Sequence, residues 1–206
     1  MLVATIVTYN DYPLIKDCIE SIINKVDKII VVDGKYRDFP GREECSDDGT
    51  IEYLTSIDTD KITIRYVQRL DEVAKRNIYL QYLYNGDVCL NIDADEVLIT
   101  PLPQLDKDIG LVRIGLDGDR RRLRRTIRYF RYRVGLYYYG QHKLILDKDD
   151  KMFAWLDQAG NYTVQDDGIE FLHNSHKRPQ DRIKNKKKYY DILMKREAKI
   201  DVSVNR

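Results

Sequence analysis

Three carboxylates lie together after an apolar segment in the first half of the chain. Asp93, Asp95 and Glu96 follow the residues VCLNI. Side chains at positions i and i+2 of an extended backbone project to the same side, so Asp93 and Asp95 can face one ligand while Glu96 is out of phase. Paired carboxylates repel each other unless a cation or hydrogen-bond donors compensate them, and Mg²⁺ or Mn²⁺ commonly bridges carboxylates to phosphates. The pattern predicts a divalent-cation site, with a solvated strand end as the alternative.

Strand and helix patterns alternate along the first hundred residues. Short apolar runs rich in β-branched residues predict four strands, at 2–8, 28–33, 61–67 and 87–92. Apolar residues at helical spacing predict one helix that begins near Pro13 and another over 71–85. This alternation predicts an α/β fold whose central sheet is mixed but mostly parallel and is flanked by helices. Ligands of such sheets bind beyond the carboxyl ends of the strands, which is where Asp93 and Asp95 lie.

The second half of the chain has a different pattern. Apolar residues predict strands at 110–116 and 169–173. Two further apolar segments, joined by a polar turn, predict a small antiparallel hairpin at 143–147 and 152–157. Pro179 opens a basic segment that predicts a C-terminal helix to about residue 198. The length of 206 residues fits one domain with a single sizeable core.

The overall composition excludes several classes of protein. Lys and Arg number 35 against 34 Asp and Glu, a net charge of +1, so the whole chain has no field that would attract nucleic acid or an acidic surface. Cys18, Cys45 and Cys89 form neither a zinc motif nor a disulfide framework, and we interpret them as reduced thiols of an intracellular protein. No apolar run reaches the roughly 20 residues of a membrane span, and the first residues lack the features of a signal peptide. We therefore expect a cytoplasmic protein.

Five short polar motifs lie at predicted strand ends or adjoining helices. They are TYND (8–11), VVDG (31–34), SDDGT (46–50), AKRN (74–77) and NIDADE (91–96). Their order and approximate spacing resemble the opening half of the family-two-type glycosyltransferases of the GT-A fold. The resemblance covers residues 1–98, and a long insertion between the second and third motifs departs from the family. The chain resembles a minimal form of the fold, which suggests a viral or archaeal source.

The resemblance implies a division of the single domain, 1–206, into three parts. They are a nucleotide-sugar-binding half at 1–100, an acceptor-side half at 101–178 and a basic C-terminal helix at 179–206. It also implies the activity: transfer of a sugar from a nucleotide-diphosphate sugar to a hydroxyl acceptor, with inversion at the anomeric carbon. The expected acceptor is a glycan, a glycoprotein or a glycolipid.

By position, the resemblance assigns roles in binding a UDP- or GDP-linked sugar. Tyr9 would pack on the base, Asp33 would accept a hydrogen bond from it, and Arg76 with Lys75 would steady the donor. The structural alternatives are a rim aromatic for Tyr9, a turn cap for Asp33 and a surface charge for Arg76. The full set that the resemblance implies is Thr8, Tyr9, Asn10, Asp33, Lys75, Arg76, Asp93, Ala94 and Asp95.

The resemblance also names the ligands of Mn²⁺ or Mg²⁺. Asp95 would be the firmer ligand, and Asp93 would lie near both the metal and the ribose. His173, at the end of an apolar strand, would be a third ligand or a diphosphate contact, with a hydrogen-bonded structural histidine as the alternative. Cationic side chains at 176–178 follow closely and could also contact a diphosphate leaving group.

A hydroxyl acceptor needs a general base within hydrogen-bond reach. Relatives that add sugars to lipopolysaccharide cores carry an acidic residue after a hairpin, and the resemblance places Asp157, beside Trp155, at that position. Other carboxylates remain open as alternatives, and they are Asp149, Asp150, Asp166 and Asp167.

Eight arginines lie within 119–133 and have three interpretations. A solvated, ion-paired face is the commonest outcome for a charge run. A surface for a phosphorylated or membrane-borne acceptor comes second, in which the basic C-terminal helix makes a peripheral contact with the inner membrane face. A nucleic-acid-binding module, with arginines on phosphates and interleaved tyrosines on bases, comes third.

Two other enzyme classes share parts of this pattern. A sugar-phosphate nucleotidylyltransferase would use the same kind of sheet and metal, but its first strand leads into a Gly-rich phosphate loop, whereas this chain has TYNDYP (8–13). A phosphatase of the haloacid-dehalogenase type carries its Asp-x-Asp after the first strand, whereas here Asp93 and Asp95 follow the fourth. The sequence therefore favours the glycosyltransferase.

Overall fold

In the computed structural model, one large sheet organises the chain. The structure describes residues 1–40, 43–116, 119–139, 143–145 and 163–204. Within those ranges the strands, β1 to β10 in chain order, are Leu2–Thr8, Lys28–Asp33, Ile62–Tyr66, Val88–Asn91, Glu96–Leu98, Ile109–Leu116, Asp119–Arg131, Tyr137–Tyr139, Lys143–Ile145 and Val164–His173. The helices α1 to α4 are Leu14–Ile22, Thr50–Ser56, Glu72–Leu80 and Gln180–Val204, and a 3-10 turn covers Ser175–Lys177.

The strand order in the sheet is β3-β2-β1-β4-β7-β6-β10-β5. The first four strands are parallel, β7 runs antiparallel to both of its neighbours, and β10 lies parallel to β6. The edge strand β5 is antiparallel to β10. This arrangement confirms the predicted α/β class, with a mixed, mostly parallel sheet, flanking helices and a C-terminal helix.

Each face of the sheet has its own apolar core, and the central strand β1 contributes to both. Ala4 and Ile6 belong to the core on the side of α1, whereas Val3 and Val7 belong to the core on the side of α3. The period-2 alternation of a strand produces this division. Since β1 is anchored on both faces, the position of the residues that follow Thr8 is fixed.

The arginine-rich segment is a central strand rather than a solvated face. It forms β7, between β4 and β6, and Ile127 and Phe130 are buried there in the α3-side core. Arg128 is also buried, while Arg124 and Arg125 are exposed. The prediction of a solvated face was therefore wrong for Arg128, because the apolar residues between the arginines pack in the core and place this part of the strand inside the sheet.

A second, two-stranded antiparallel sheet pairs β8 with β9. The sequence predicts a hairpin that begins at residue 143, and β9 does begin there. Its described partner is the preceding strand Tyr137–Tyr139, and the predicted partner at 152–157 lies outside the described residues. In the described part of the chain, every helix is too short or too polar to cross a bilayer.

Gly34 stands at the turn after β2 and accepts no other residue without strain. Its φ is +135°, and a Cβ added there would lie 1.7 Å from the carbonyl oxygen of Val67. We expect Gly34→Ala to lower the free energy of unfolding by about 2–3 kcal/mol, from backbone strain and overpacking. Gly86→Ala is the matched control, since Gly86 has a φ of +91° but open space around it, and it should cost about 1 kcal/mol. Urea unfolding of both variants measures the difference, and equal losses would show that the contact with Val67 is relieved easily.

Candidate functional site

Acidic side chains converge at the carboxyl edge of the parallel strands. Asp11 follows β1, Asp33 ends β2, and Asp93 and Asp95 follow β4. Because β2, β1 and β4 are adjacent and parallel, their carboxyl ends meet at one edge of the sheet, which we call the carboxylate edge. Basic residues from α3, β7 and the segment leading into α4 approach the same edge.

Asp93 lies between two arginines. Arg76, from α3, donates to its Oδ1 at 2.7 Å, and Arg128, from β7, donates to its Oδ2 at 2.9 Å. Both arginines also donate to the side-chain oxygen of Asn91, at 2.6 and 3.1 Å. Burial disfavours the charge of Arg128, but Asp93 and Glu96 outweigh it and raise the pKa of this guanidinium above its ordinary value. The carboxylate of Asp93 is thus held in a charge-assisted clamp.

Asp95 is almost completely buried and has a separate set of cations. Arg178 donates to its Oδ2, the Nε2 of His173 lies 3.1 Å from the same oxygen, and the ammonium of Lys186 lies 3.7 Å away. Arg178 also donates to Asp11 at 2.7 Å, so one guanidinium joins the ends of β1 and β4. Burial opposes ionisation of Asp95, yet Lys186, the His173 hydrogen bond and Arg178 hold its pKa below the usual range.

Glu96 serves the backbone of the Asp93 turn. Its Oε2 accepts a hydrogen bond from the Asp93 N–H at 2.8 Å, and Arg128 lies 3.6 Å from the same oxygen. Burial raises the pKa of the Glu96 carboxyl to about 7. Residues 94 and 95 form a turn, so the strand alternation expected from the sequence does not hold here, and Glu96 lines the same cavity as Asp93.

The donor set, as it lies, does not fit a divalent cation. Both oxygens of Asp93 already accept from arginines, and the contacts of Asp95 are to cations. Among the described residues, no group of three His, Cys, Asp or Glu side chains shares a point where an ion could bind. Binding of Mn²⁺ or Mg²⁺ by Asp93, Asp95 and His173 stays a prediction.

The residues predicted to contact the nucleotide base lie under a layer of aromatic side chains. Tyr9 is 2% exposed, its hydroxyl donates to the Glu43 carbonyl at 2.8 Å, and its ring packs edge-on against Phe39. Asp33 is buried and accepts hydrogen bonds from the N–H and the hydroxyl of Ser46. Their predicted roles toward a base stay predictions. Phe39 belongs to the insertion that departs from the family pattern, so this packing could not be inferred from the resemblance.

Thr8 and Asn10 hold the loop after β1 in place. The hydroxyl of Thr8 donates to Asp11 at 3.1 Å. The side chain of Asn10 exchanges two hydrogen bonds with Asp47, at 2.8 and 2.9 Å. Ala94, between the two aspartates, is buried. These contacts fix the loop geometry at the edge where the carboxylates meet.

Lys75 is fully buried beneath the same edge. Its ammonium donates to the Gly34 carbonyl, lies 3.4 Å from the Thr8 carbonyl, and sits 3.8 Å above the ring of Tyr36. Burial lowers the pKa of the ammonium from its ordinary 10.5 to about 7. As it lies, Lys75 supports the loops after β1 and β2 from within and does not reach toward a donor.

The depressed pKa of Lys75 predicts a pH dependence of stability. Between pH 7 and pH 10 the unfolded chain binds a proton at this position that the folded chain lacks, so the free energy of unfolding should rise with pH. Lys75→Met removes the titration, and the stability of the wild type relative to this variant should rise by up to about 1.4 kcal/mol per pH unit. Urea unfolding of both proteins across this pH range measures it. Stability curves that stay parallel would show that Lys75 is protonated in the folded state.

Two cavities flank Asp93. The smaller, of about 30 Å³, lies toward the predicted base-binding residues and is enclosed by aromatic side chains that include Tyr36, Phe39 and Tyr189. The larger, of about 710 Å³, lies between β7 and α4 and reaches from Asp93 to His176. Of these two, the larger has the volume of roughly 300–1,000 Å³ that is usual for a small-molecule site.

The candidates for the general base have different outcomes. Asp157, Asp149 and Asp150 lie outside the described residues. Asp166 lies near the start of β10 and is paired with Arg113 at 3.0 Å, while His173 ends the same strand, roughly 20 Å away at the usual rise per residue. The side chain of Asp166 is therefore far from the carboxylate edge.

Sequence reasoning missed Asp11 and Arg128 at the edge and did not single out Arg178. Asp11 was part of a recognised motif without a role of its own, although its carboxylate is the anchor of Arg178. Arg128 was not separated from the other arginines, although its flanking residues Ile127 and Tyr129 carried the signal of a buried strand. Arg178 was noted only as one of several cations after His173.

Comparisons with known proteins give distant structural matches. No family model and no curated protein matches the chain. TarS from S. aureus is similar at 20% identity over 57% of this chain and 22% of that chain, with a TM-score of 0.42. Its fragment 1–349 is similar at 21% identity over 57% of this chain and 37% of that chain, with a TM-score of 0.43. HddC from Yersinia pseudotuberculosis is similar at 12% identity over 92% of this chain and 100% of that chain, with a TM-score of 0.44. The chain spans about a fifth of the length of full TarS.

Proposed function

We propose that this protein transfers a sugar from a nucleotide-diphosphate sugar to a hydroxyl acceptor. The observation that carries the proposal is the carboxylate edge, where Asp93 and Asp95 follow β4 and are surrounded by four fixed cations, Arg76, Arg128, Arg178 and Lys186. A diphosphate leaving group gains negative charge as the sugar bond breaks, and preorganised cations at that point stabilise it. The open cavity beside Asp93 provides room for the sugar and the acceptor.

The residues at this edge would divide the work of the transfer. Arg178 and Lys186, held by Asp95, would contact the diphosphate and neutralise it as it leaves. Asp93 and its two arginines would set the floor of the sugar site. The acceptor hydroxyl would enter through the larger cavity, and Asp157, which lies outside the described residues, would be the base that takes its proton. Attack from the face opposite to the diphosphate would invert the anomeric centre, as the family resemblance implies.

The alternatives gain less support from the same contacts. A nucleotidylyltransferase expects a Gly-rich phosphate loop after the first strand, and here that loop is closed by side-chain hydrogen bonds of Thr8 and Asn10. A nucleic-acid-binding surface on 119–133 would need its arginines on one exposed face, but Arg128 is buried against Asp93. The transferase is the function that uses the whole edge.

A screen of nucleotide sugars and nucleoside diphosphates by thermal unfolding tests the proposal. Each ligand is measured with Mn²⁺ and again with EDTA, so that the predicted metal dependence is read from the difference between the two series. We expect one class of nucleotide to stabilise the protein and the corresponding nucleotide sugar to be hydrolysed slowly. Asp95→Asn should lose both the stabilisation and the hydrolysis. If none of the UDP- or GDP-linked ligands stabilised the protein in either series, the proposed function would be wrong.

A further inference from the structure

The larger cavity has an uneven distribution of charge. Its acidic lining residues, Asp93 and Glu96, are already matched from within, because Arg76 and Arg128 hold Asp93 and Arg128 also faces Glu96. The negative charge at the floor of the cavity is therefore compensated before any ligand enters.

Three further basic side chains line the outer part of the cavity. Arg124 projects from β7, Lys187 from α4 and His176 from the 3-10 turn. Within the part of the chain that the structure describes, none of the three has an ion-pair partner within 4.0 Å. They come from three different elements, so the cavity presents a converging set of donors rather than a charged stretch of one segment.

The periodicity of both walls separates these groups from neighbouring charges. On β7, Arg124, Thr126 and Arg128 share the face that lines the cavity, whereas Arg125 projects to the other face and pairs with Asp166 at 3.8 Å. On α4, the lining residues recur at helical spacing, at Ile183, Lys186, Lys187 and Tyr190, and Lys188 is not among them. Each wall therefore offers a matched charge that points away from the cavity.

We propose that this cavity binds an acceptor that carries a phosphate group, with the phosphate between Arg124, His176 and Lys187 and the saccharide toward Asp93. The role of this ligand as an acceptor rests on the proposed function, whereas the binding of its phosphate group does not. Guanidinium and ammonium groups form strong charge-assisted hydrogen bonds with phosphate oxygens. The apolar side chains of Ile114, Leu116 and Ile183 provide a wall for the carbon skeleton of the ligand.

Calorimetric titration of the full chain with glucose 6-phosphate and with glucose tests the inference. We expect the phosphate ester to bind at least about tenfold more tightly than the neutral sugar, and we expect its affinity to fall with added salt. The double variant Arg124→Gln/Lys187→Gln should lose about tenfold in affinity. The control Arg125→Gln/Lys188→Gln removes the same charge from the opposite faces and should bind as the wild type does.

Several outcomes would overturn the inference. Equal binding of glucose and glucose 6-phosphate would do so, as would equal losses in the two double variants, which would indicate a general field. Binding to phosphatidylglycerol vesicles that depends on Arg124 and Lys187, without binding of glucose 6-phosphate, would assign the cations to a lipid surface instead. Nucleotide-sugar hydrolysis is measured on the same proteins. Its absence from the wild type would contradict the proposed transferase while leaving the phosphate site standing.

Discussion

Asp95→Asn is expected to reduce turnover of a nucleotide sugar by roughly two to three orders of magnitude. The carboxylate fixes Arg178 and contacts both His173 and Lys186. In the proposed transfer these cations meet the diphosphate, and a neutral amide would hold them neither in the same place nor with the same strength. The measurement is kcat for hydrolysis or transfer with the donor that the thermal screen identifies.

The same change should also destabilise the protein, and the two effects can be separated. Loss of a buried partner leaves its cations uncompensated, which costs about 3–5 kcal/mol. In the double variant Asp95→Asn/Lys186→Gln, which removes one uncompensated charge and leaves the pair of Arg178 with Asp11 in place, part of the stability should return while turnover stays low. A recovery of turnover along with stability would indicate that Asp95 acts only through folding.

Asp87, next to the other end of β4, offers a matched control. It is 6% exposed, lies just before β4 at the opposite end, and accepts hydrogen bonds from the N-terminal ammonium at 3.0 Å and from the Tyr84 N–H at 2.8 Å. Asp87→Asn should lower the free energy of unfolding but leave kcat within about twofold of the wild type, because no cation of the carboxylate edge touches it. If Asp87→Asn lost as much turnover as Asp95→Asn, the loss would reflect general instability.

The strand ends could be predicted from the sequence because local patterns determine them. Each of β1, β2 and β4 is a short, mainly apolar run that leads into a polar residue, and parallel pairing then brings those polar residues to one edge. The positions of Asp33, Asp93 and Asp95 at that edge follow from these two facts alone. The fold class was accordingly predicted correctly, whereas the metal-binding role of Asp93 and Asp95 stays a prediction.

The partners of those carboxylates could not be predicted, because long-range packing selects them. Arg128 lies 35 residues after Asp93 in a strand that inserts beside β4. The apolar neighbours Ile127 and Tyr129 indicate a buried strand, but they do not indicate which carboxylate Arg128 meets. Tyr9 illustrates the reverse. Its place in a motif was recognised, but its burial depends on Phe39 and Arg182, which come from an insertion and from the C-terminal helix.

Arg76→Gln is expected to lower the free energy of unfolding by about 3–5 kcal/mol, since it breaks a buried ion-pair network from the inside. Arg76 is 1% exposed and donates to Glu72 at 2.8 Å, to Asp93 at 2.7 Å and to Asn91 at 2.6 Å. Burial disfavours its charge, yet Asp93 and Glu72 raise the pKa of the guanidinium above its ordinary value. Glutamine cannot reach the same acceptors, so two carboxylates lose their buried partner.

The exposed helical pair of Lys16 and Glu20 is the control for the magnitude of this effect. Like Glu72 and Arg76 it spans four residues of a helix, but its two side chains are 46% and 58% exposed and 3.9 Å apart. Lys16→Gln should cost no more than about 0.5 kcal/mol. Urea unfolding of both variants compares a buried pair with an exposed one at the same helical spacing. Losses of similar size would mean that water reaches Arg76 and that Asp93 is held by Arg128 alone, in which case Arg128→Gln would carry the larger penalty.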